Sequence, residues 1–204
     1  MADALPKGTV TYRIFVDMRP GYSLQAVYGT QKHELYLKTS TTFFNDKVCF
    51  AETGFNIDAK QLHKGNVALD SWITMGAASR LHTGIPRSED DSAFSFITYR
   101  YPLSKIDGLT KGVLPNFQIY NIDLKFFNND TANNFSTFDG AWAAMGGVKG
   151  PTPENRVLIA QLTTNGKLSY GLNLQIGTPI GGYIQFVAKD PEGSEIQFDG
   201  LTNN

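Results

Sequence analysis

The segment from Arg156 to Gly177 constrains the fold more than any other stretch of this 204-residue chain. It places Asn165-Gly166 between two alternating apolar runs, which is the strongest short-range signal for a β-hairpin. We therefore predict a hairpin at this position, with the remaining strands packed around it.

Two registers are open to this hairpin. A two-residue Asn165-Gly166 turn would place Thr163 opposite Leu168. A three-residue loop ending at Gly166, with that glycine at positive φ, would instead pair Leu162 with Leu168. A slip of one residue turns a whole strand over, and only the second register pairs apolar residues along the hairpin, so we favour it. Its outward face would then be polar and would consist of Gln161, Thr163, Ser169, Asn173 and Gln175.

The composition favours sheets over helices. The chain contains fourteen Phe, nine Tyr and twenty Gly, a mixture that suits pleated strands joined by tight turns. Short alternating runs predict about ten strands and little or no helix, and so many strands exceed what one open sheet holds comfortably. We therefore predict an all-β fold, an antiparallel β-sandwich of jelly-roll type. Its predicted strands include 67–75, 93–101 and 117–127.

No compositional break divides the chain, so one domain is predicted. Residues 1–8 are expected to form a flexible N-terminal lead, 9–199 a single β-sandwich domain, and 200–204 a polar C-terminal end. Two segments rich in glycine and polar residues, 76–92 and 128–150, are predicted to be long loops that carry any function.

Charge and hydropathy exclude several partners. The net charge is −1 and there is no basic stripe, which argues against nucleic acid. No run of about 18 apolar residues occurs, so no membrane insertion is expected. The first residues lack the basic and apolar regions of a signal peptide. Cys49 is the only cysteine, so no intrachain disulfide is possible.

The acidic run around Glu89, Asp90 and Asp91 is the best candidate for a metal site. Its carboxylates lie in a polar segment and offer the hard oxygen ligands that Ca²⁺ requires, although the spacing is not that of an EF-hand. The alternative is a solvated acidic loop. Calcium is the one cofactor that the sequence suggests, because the three histidines share no metal-ligand spacing.

Aromatic residues and one carboxylate offer a glycan-binding alternative. Asp70 and Trp72 would share one face of a strand, and Trp142, Tyr99 and Tyr101 are further candidates for stacking on sugar rings. The competing interpretation is that most of these aromatics are core and that Asp70 is merely solvated. No nucleophile elbow is present, and no catalytic residues are predicted.

Two stretches resemble a module of large exported cell-surface proteins of Bacteroidota. They are the run from Thr11 to Gly29, containing TYRIFVDM and PGYSLQAVYG, and the run GPTPENRVLIAQLTT from Gly150 to Thr164. The resemblance extends from about residue 9 to residue 188. It implies an extracellular or cell-surface location and a structural or adhesive role, and it supplies no functional residues.

These observations predict a non-enzymatic, secreted structural module that acts through protein–protein or surface contacts. Its unpaired strand edges could pair with strands of neighbouring molecules, which would allow self-assembly into a homo-oligomer. The alternative is a carbohydrate-binding module or a jelly-roll glycan-active enzyme, stabilised by calcium, in which Trp72, Asp70 and Trp142 converge on one cleft. The expected partner is a protein or a cell-surface glycan.

Overall fold

The computed structural model of the protein describes residues 4–92, 95–97 and 106–203. Over these residues the chain forms sixteen short strands and six 3-10 helices, the longest of which has five residues. The prediction of a strand-rich chain with little helix is confirmed, whereas the prediction of about ten strands is too low. The strands are β1 Val10–Asp17, β2 Ser23–Tyr28, β3 Leu35–Thr39, β4 Trp72–Ile73, β5 Ala77–Ser79, β6 His82–Gly84, β7 Leu109–Lys111, β8 Asn116–Tyr120, β9 Asn134–Thr137, β10 Ala141–Val148, β11 Arg156–Thr164, β12 Leu168–Gly171, β13 Leu174–Gly177, β14 Tyr183–Val187, β15 Ile196–Gln197 and β16 Thr202–Asn203.

The strands form four sheets. Their orders are β1-β11-β4, β15-β14-β13-β2-β10-β8, β16-β12-β3-β9 and β5-β6-β7. Every described strand pair is antiparallel except β14–β15, which is parallel. The sheet orders also show that most strands pair with strands that are distant in sequence.

Strand β11 lies between two hydrophobic clusters. All of its residues after Arg156 are buried. Leu162 belongs to the larger cluster with Trp142, while Leu158 belongs to the smaller cluster with Trp72. A strand that is buried on both faces has a nearly continuous run of apolar and small residues, as this one has.

The predicted hairpin is wrong. β11 pairs with β1 and β4, whereas β12 pairs with β3 and β16, so the segment around Asn165 is a corner between two sheets. The Thr164 hydroxyl stabilises this corner, since it lies 2.8 Å from the Thr39 hydroxyl and accepts a hydrogen bond from the Gly166 N–H at 3.0 Å. A Cβ on Gly166 would lie 2.5 Å from Thr39 Oγ1, so glycine is required for this close approach and not for a positive φ.

The predicted outward polar face is also wrong, because three of its members are buried. Gln161, Thr163 and Asn173 are at most 1 % exposed. Thr163 shares a hydrogen bond of 2.8 Å with the Thr11 hydroxyl, and Asn173 Nδ2 donates to the Tyr28 carbonyl at 3.0 Å. These polar side chains tie strands together inside the fold.

Both predicted functional loops contain strands. Segment 76–92 includes β5 and β6, and segment 128–150 includes β9 and β10. In β10 the register with β2 shifts where Gly146 and Gly147 adopt φ of +82° and +76°. Glycine there marks a bulge within a strand, which composition alone does not distinguish from a loop.

The three strands predicted at 67–75, 93–101 and 117–127 have mixed outcomes. Val67–Leu69, at the start of the segment 67–75, is a 3-10 helix, and only β4 in that segment is a strand. The segment 117–127 begins in β8 and ends in a second 3-10 helix, Leu124–Asn128. Most of 93–101 lies outside the described residues.

Candidate functional site: the open edge of strand β1

Strand β1 has one free edge. Among the described residues, it lies at the end of its sheet and pairs only with β11. Within the described part of the chain, no other element forms a backbone hydrogen bond with Val10–Asp17. In an antiparallel ladder, alternate residues direct their N–H and C=O groups away from the partner strand. The outer side of β1 therefore presents a row of unpaired backbone donors and acceptors.

A bulge in β11 determines which side chains accompany this edge. Ile14 lies opposite Ala160 and Phe15 lies opposite Leu158, so Ile159 is the extra residue. The bulge places Leu158 on the same face of the sheet as Gln161, with Arg13 and Phe15. The opposite face directs Ala160 and its neighbours into the larger cluster.

The first face borders a cavity of ≈410 Å³, which we call the Arg13 groove. Its walls are mostly apolar and come from β1, from the 3-10 helix Val67–Leu69 and from segments near 85 and 106. Thr11 lines this groove but not the cavity on the other side of β1. The residues that line the Arg13 groove include Thr11, Arg13, Phe15, Leu69, Ile85 and Ile106.

Arg13 holds the edge strand in place. Its Nε donates to Gln161 Oε1 at 2.9 Å, and its Nη1 donates to the carbonyls of Gly108 at 2.9 Å and Asp107 at 3.2 Å. Burial lowers the pKa of this guanidinium to about 10, an effect that the nearby Asp107 carboxylate partly opposes. Arg13 remains charged at neutral pH and joins β1 to β11 and to the segment that leads into β7.

Two buried carboxylates shape that segment. Asp90 Oδ2 accepts hydrogen bonds from the N–H groups of Asp107 at 3.1 Å and Gly108 at 2.8 Å. Asp107 Oδ2 in turn accepts from Ser95 Oγ at 2.8 Å and from the Phe96 N–H at 2.6 Å. The other oxygen, Asp107 Oδ1, is buried without a hydrogen-bond partner. Both carboxylates thus organise the wall of the Arg13 groove.

The other side of β1 borders a second cavity, of ≈450 Å³, which we call the Tyr12 groove. Tyr12 and Ile14 line it from β1 together with Arg13 and Phe15, which also line the Arg13 groove, and Leu168 and Tyr170 line it from β12. Lys167 is exposed at its margin. The free edge of β1 therefore runs between two grooves. An added strand sends successive side chains to opposite faces and would place them alternately on the two sides of the edge.

Two of the three predicted calcium ligands are directed at protein donors. Glu89 accepts hydrogen bonds from Arg156 Nη1 at 2.6 Å and from the Thr152 hydroxyl. Asp90 is buried and bound to backbone N–H groups, while Asp91 is exposed. Over residues 4–92, 95–97 and 106–203, no group of three or more His, Cys, Asp or Glu side chains could hold a metal ion. Calcium binding stays a prediction.

The two tryptophans predicted to stack on sugars do not meet in one cleft. Trp72 is 1 % exposed in the smaller cluster and Trp142 is 0 % exposed in the larger one, and neither indole N–H has a hydrogen-bond partner. Stacking on a sugar requires an exposed ring face, which neither residue has. Tyr99 and Tyr101 lie outside the described residues.

The competing interpretation that Asp70 is merely solvated is wrong, because its side chain is buried. Its Oδ1 accepts hydrogen bonds from the Asp46 N–H at 2.7 Å and the Ser71 N–H at 3.0 Å, whereas its Oδ2 is buried without a formed hydrogen bond. Burial raises the pKa of this carboxyl to about 8, although nearby N–H groups, including that of Ala51, favour the charged form. Asp70 lines neither groove.

Sequence reasoning missed a close Ser–His pair. Ser79 Oγ lies 2.8 Å from His82 Nδ1 across the turn between β5 and β6, and it also accepts a hydrogen bond from the Leu81 N–H. Burial lowers the pKa of His82, so the imidazole is neutral at pH 7. Ser79 is fully buried and cannot reach a substrate. The pair stabilises a turn, and the i, i+3 spacing was its only sequence signal.

Comparisons with protein-family models, with curated proteins and with solved structures find no significant match to this chain. In the part of the chain that the structure describes, no helix has the length and apolar character needed to cross a membrane.

Proposed function

We propose that this protein is a non-enzymatic β-sandwich module that binds an extended segment of a partner protein by adding it as a strand to β1. The observation that carries the proposal is the open eight-residue edge of β1 between two grooves. Backbone hydrogen bonds supply affinity in this mode of recognition, and pockets for alternate side chains supply specificity.

The fixed position of the edge supports this function. Arg13 binds Gln161 and two backbone carbonyls, so β1 is held from within the fold while its outer groups stay free. A binding strand that is already in place loses little conformational entropy when it is paired, which favours affinity.

The chemistry of the other polar groups supports binding over catalysis. Ser79, Asp70 and Asp90 are buried, and each is engaged by protein donors. A nucleophile or general base has to reach its substrate, and these three groups face the interior. The resemblance of the stretches around Thr11–Gly29 and Gly150–Thr164 to bacterial surface modules supports placing this function at the cell surface.

A peptide library tests the proposal. Extended peptides displayed on phage are selected against the whole chain, and hydrogen exchange of β1 is measured with and without each selected peptide. We expect binders that slow exchange across Val10–Asp17. Tyr12→Lys, which places a charge beside the free edge, should reduce their binding at least tenfold.

Tyr120→Lys is the matched control, because Tyr120 is an exposed tyrosine on β8, another edge strand. It should leave peptide binding unchanged. The proposal fails if no peptide protects β1, or if both lysine variants weaken binding equally. Binding of a glycan without any peptide binding would support the carbohydrate alternative in its place.

A further inference from the structure

The six-stranded sheet has one buried face and one open face. Successive residues of a strand point to opposite faces, and Trp142 and Leu174 point into the larger hydrophobic cluster. On the other face, a row of partly exposed residues crosses five neighbouring strands from β8 to β14. The row consists of Gln118, Ala143, Ala26, Gln175 and Gln185, each paired with the next. We call this open side of the sheet the amide face, after its three glutamines.

The amide face carries no charge. None of the strands β2, β8, β10, β13, β14 and β15 contains an Asp, Glu, Lys, Arg or His. Charged residues make up 18 % of the whole chain, so a sheet with an open face and no charged residue departs from the rest of the protein. A surface without charge is complementary to a neutral ligand and not to an ionic one.

Two pairs of amide side chains are held in place on this face. Gln118 Nε2 donates to Asn116 Oδ1 at 2.8 Å, and Gln175 Nε2 donates to Gln25 Oε1 at 2.9 Å. Within the described part of the chain, the Oε1 atoms of Gln118 and Gln175 accept no hydrogen bond. Both amides therefore keep an acceptor for a ligand, and each has a second N–H to donate. A hydroxyl group both donates and accepts, so it matches such an amide.

A shallow trough lies between the two amide pairs. Ala143 and Ala26 form its floor, since they stand between Gln118 and Gln175 in the row. Neighbouring strands are about 4.8 Å apart, so the walls on β8 and β13 are about 14 Å apart. Tyr120 lies on the same face at the end of β8 and is 50 % exposed, which leaves its ring open to stacking.

From these features we propose that the amide face binds a neutral polysaccharide chain, which lies along the trough between β8 and β13. A sugar ring stacks on Tyr120, while hydroxyl groups of the chain bond to Gln118 and Gln175. The site is separate from β1, so this inference goes beyond the proposed strand addition and does not depend on it.

The size and composition of the face favour this ligand over a second protein. From β8 to β14 the face is about 19 Å wide, and its strands are about 13 Å long, which gives roughly 250 Å². A standard protein interface takes about 800 Å² from each partner. The middle of the face consists of alanines and glutamines, and not of the large aromatic anchors on which protein interfaces depend.

Binding of purified polysaccharides to the whole chain tests this inference. The probes are neutral polymers (β-glucan, α-glucan, xylan and galactomannan) and the acidic polymer polygalacturonate, and binding is measured by titration calorimetry. We expect the wild type to bind at least one neutral polymer more tightly than polygalacturonate. Tyr120→Ala removes the stacking ring and Ala143→Glu places a charge on the floor of the trough, so each should weaken this binding at least tenfold.

Tyr12→Ala is the matched control, because Tyr12 is an exposed tyrosine on another edge strand and lies outside the amide face. It should bind the polymer like the wild type, and thermal midpoints establish that every variant is folded. The inference is overturned if no neutral polymer binds, if polygalacturonate binds as tightly, or if Tyr120→Ala and Ala143→Glu bind no more weakly than Tyr12→Ala.

Two further outcomes separate this site from other functions. Self-association of the wild type that Ala143→Glu abolishes would assign the amide face to a second copy and overturn the inference. A chain that binds no polymer, but whose β1 is still protected by library peptides, overturns this inference and leaves the proposed function intact. Polymer binding that depends on Tyr120, without peptide protection of β1, supports this inference while the proposed function fails.

Discussion

We expect the buried carboxyl of Asp70 to make a contribution to stability that falls as the pH rises. Burial raises its folded pKa to about 8, from an ordinary value of 3.8. The folded state therefore retains a proton that the unfolded chain has already released, and folding becomes less favourable as the pH rises from the unfolded pKa to the folded pKa. At 1.36 kcal/mol for each pH unit, the folded protein loses about 4 kcal/mol between pH 5 and pH 8 through this one group.

Asp70→Asn isolates this effect. The amide oxygen still accepts hydrogen bonds from the Asp46 and Ser71 N–H groups, but the side chain no longer ionises. Urea unfolding of both proteins at pH 5 and pH 8 gives the free energy of unfolding at each pH. We expect the variant to gain about 4 kcal/mol relative to the wild type between these two pH values. The reasoning would be refuted if the difference in unfolding free energy between the variant and the wild type were the same at both pH values. It would also be refuted if the wild type became more stable relative to the variant at pH 8.

Three further predictions follow from buried groups. Gln161→Leu should cost about 2–5 kcal/mol in urea unfolding, because it leaves Arg13 Nε and two backbone carbonyls without partners; a loss below about 0.5 kcal/mol would contradict this. Tryptophan emission should lie at short wavelength and resist quenching by acrylamide, since Trp72 and Trp142 are both buried; strong quenching would show that an indole is accessible. Burial tends to raise the pKa of Asp90, but hydrogen bonds from neighbouring side-chain and backbone donors outweigh it and lower the pKa, so its stabilising contribution is present above its unfolded pKa and is lost as the pH falls through the folded value. Asp90→Asn should therefore destabilise more at pH 7 than at pH 3, and an equal loss at both would contradict the assignment.

Strand content follows from local pattern, and the sequence predicts it well. Val10–Asp17 alternates as expected, and its even-numbered residues Ile14 and Val16 contact the larger hydrophobic cluster. Alternation is a local property of a pleated strand, so it is visible without knowledge of the partner strand. It does not reveal how many short strands follow, since two-residue strands such as β4 and β15 have no detectable period.

Pairing is not local, and here the sequence misleads. Asn165-Gly166 carries the usual signal of a hairpin, yet the chain turns a corner because Thr164 bonds to Thr39 in another sheet. The bulge at Ile159 was also invisible, since alternation alone places Leu158 with Ala160 and Leu162. Both features depend on strands more than a hundred residues away.

The candidate site was hidden for the same reason. The edge of β1 is free because no other described strand pairs with that side of it. No residue type in the sequence indicates whether a strand will have a partner on both sides. The carboxylates at Asp70 and Asp90 were noticed for their chemistry, but their burial follows from the packing of distant segments. The aromatic residues Trp72 and Trp142 were equally ambiguous between core and surface, because a large apolar ring suits both.

Hydrogen exchange along β1 in the monomer tests the open edge most directly. Amides of Val10–Asp17 that bond to β11 should exchange slowly, and those directed outward should exchange fast, which gives an alternating pattern along the strand. Addition of a bound strand should make exchange slow at every position. Uniformly slow exchange in the free monomer would mean that the edge is already paired and would contradict the account.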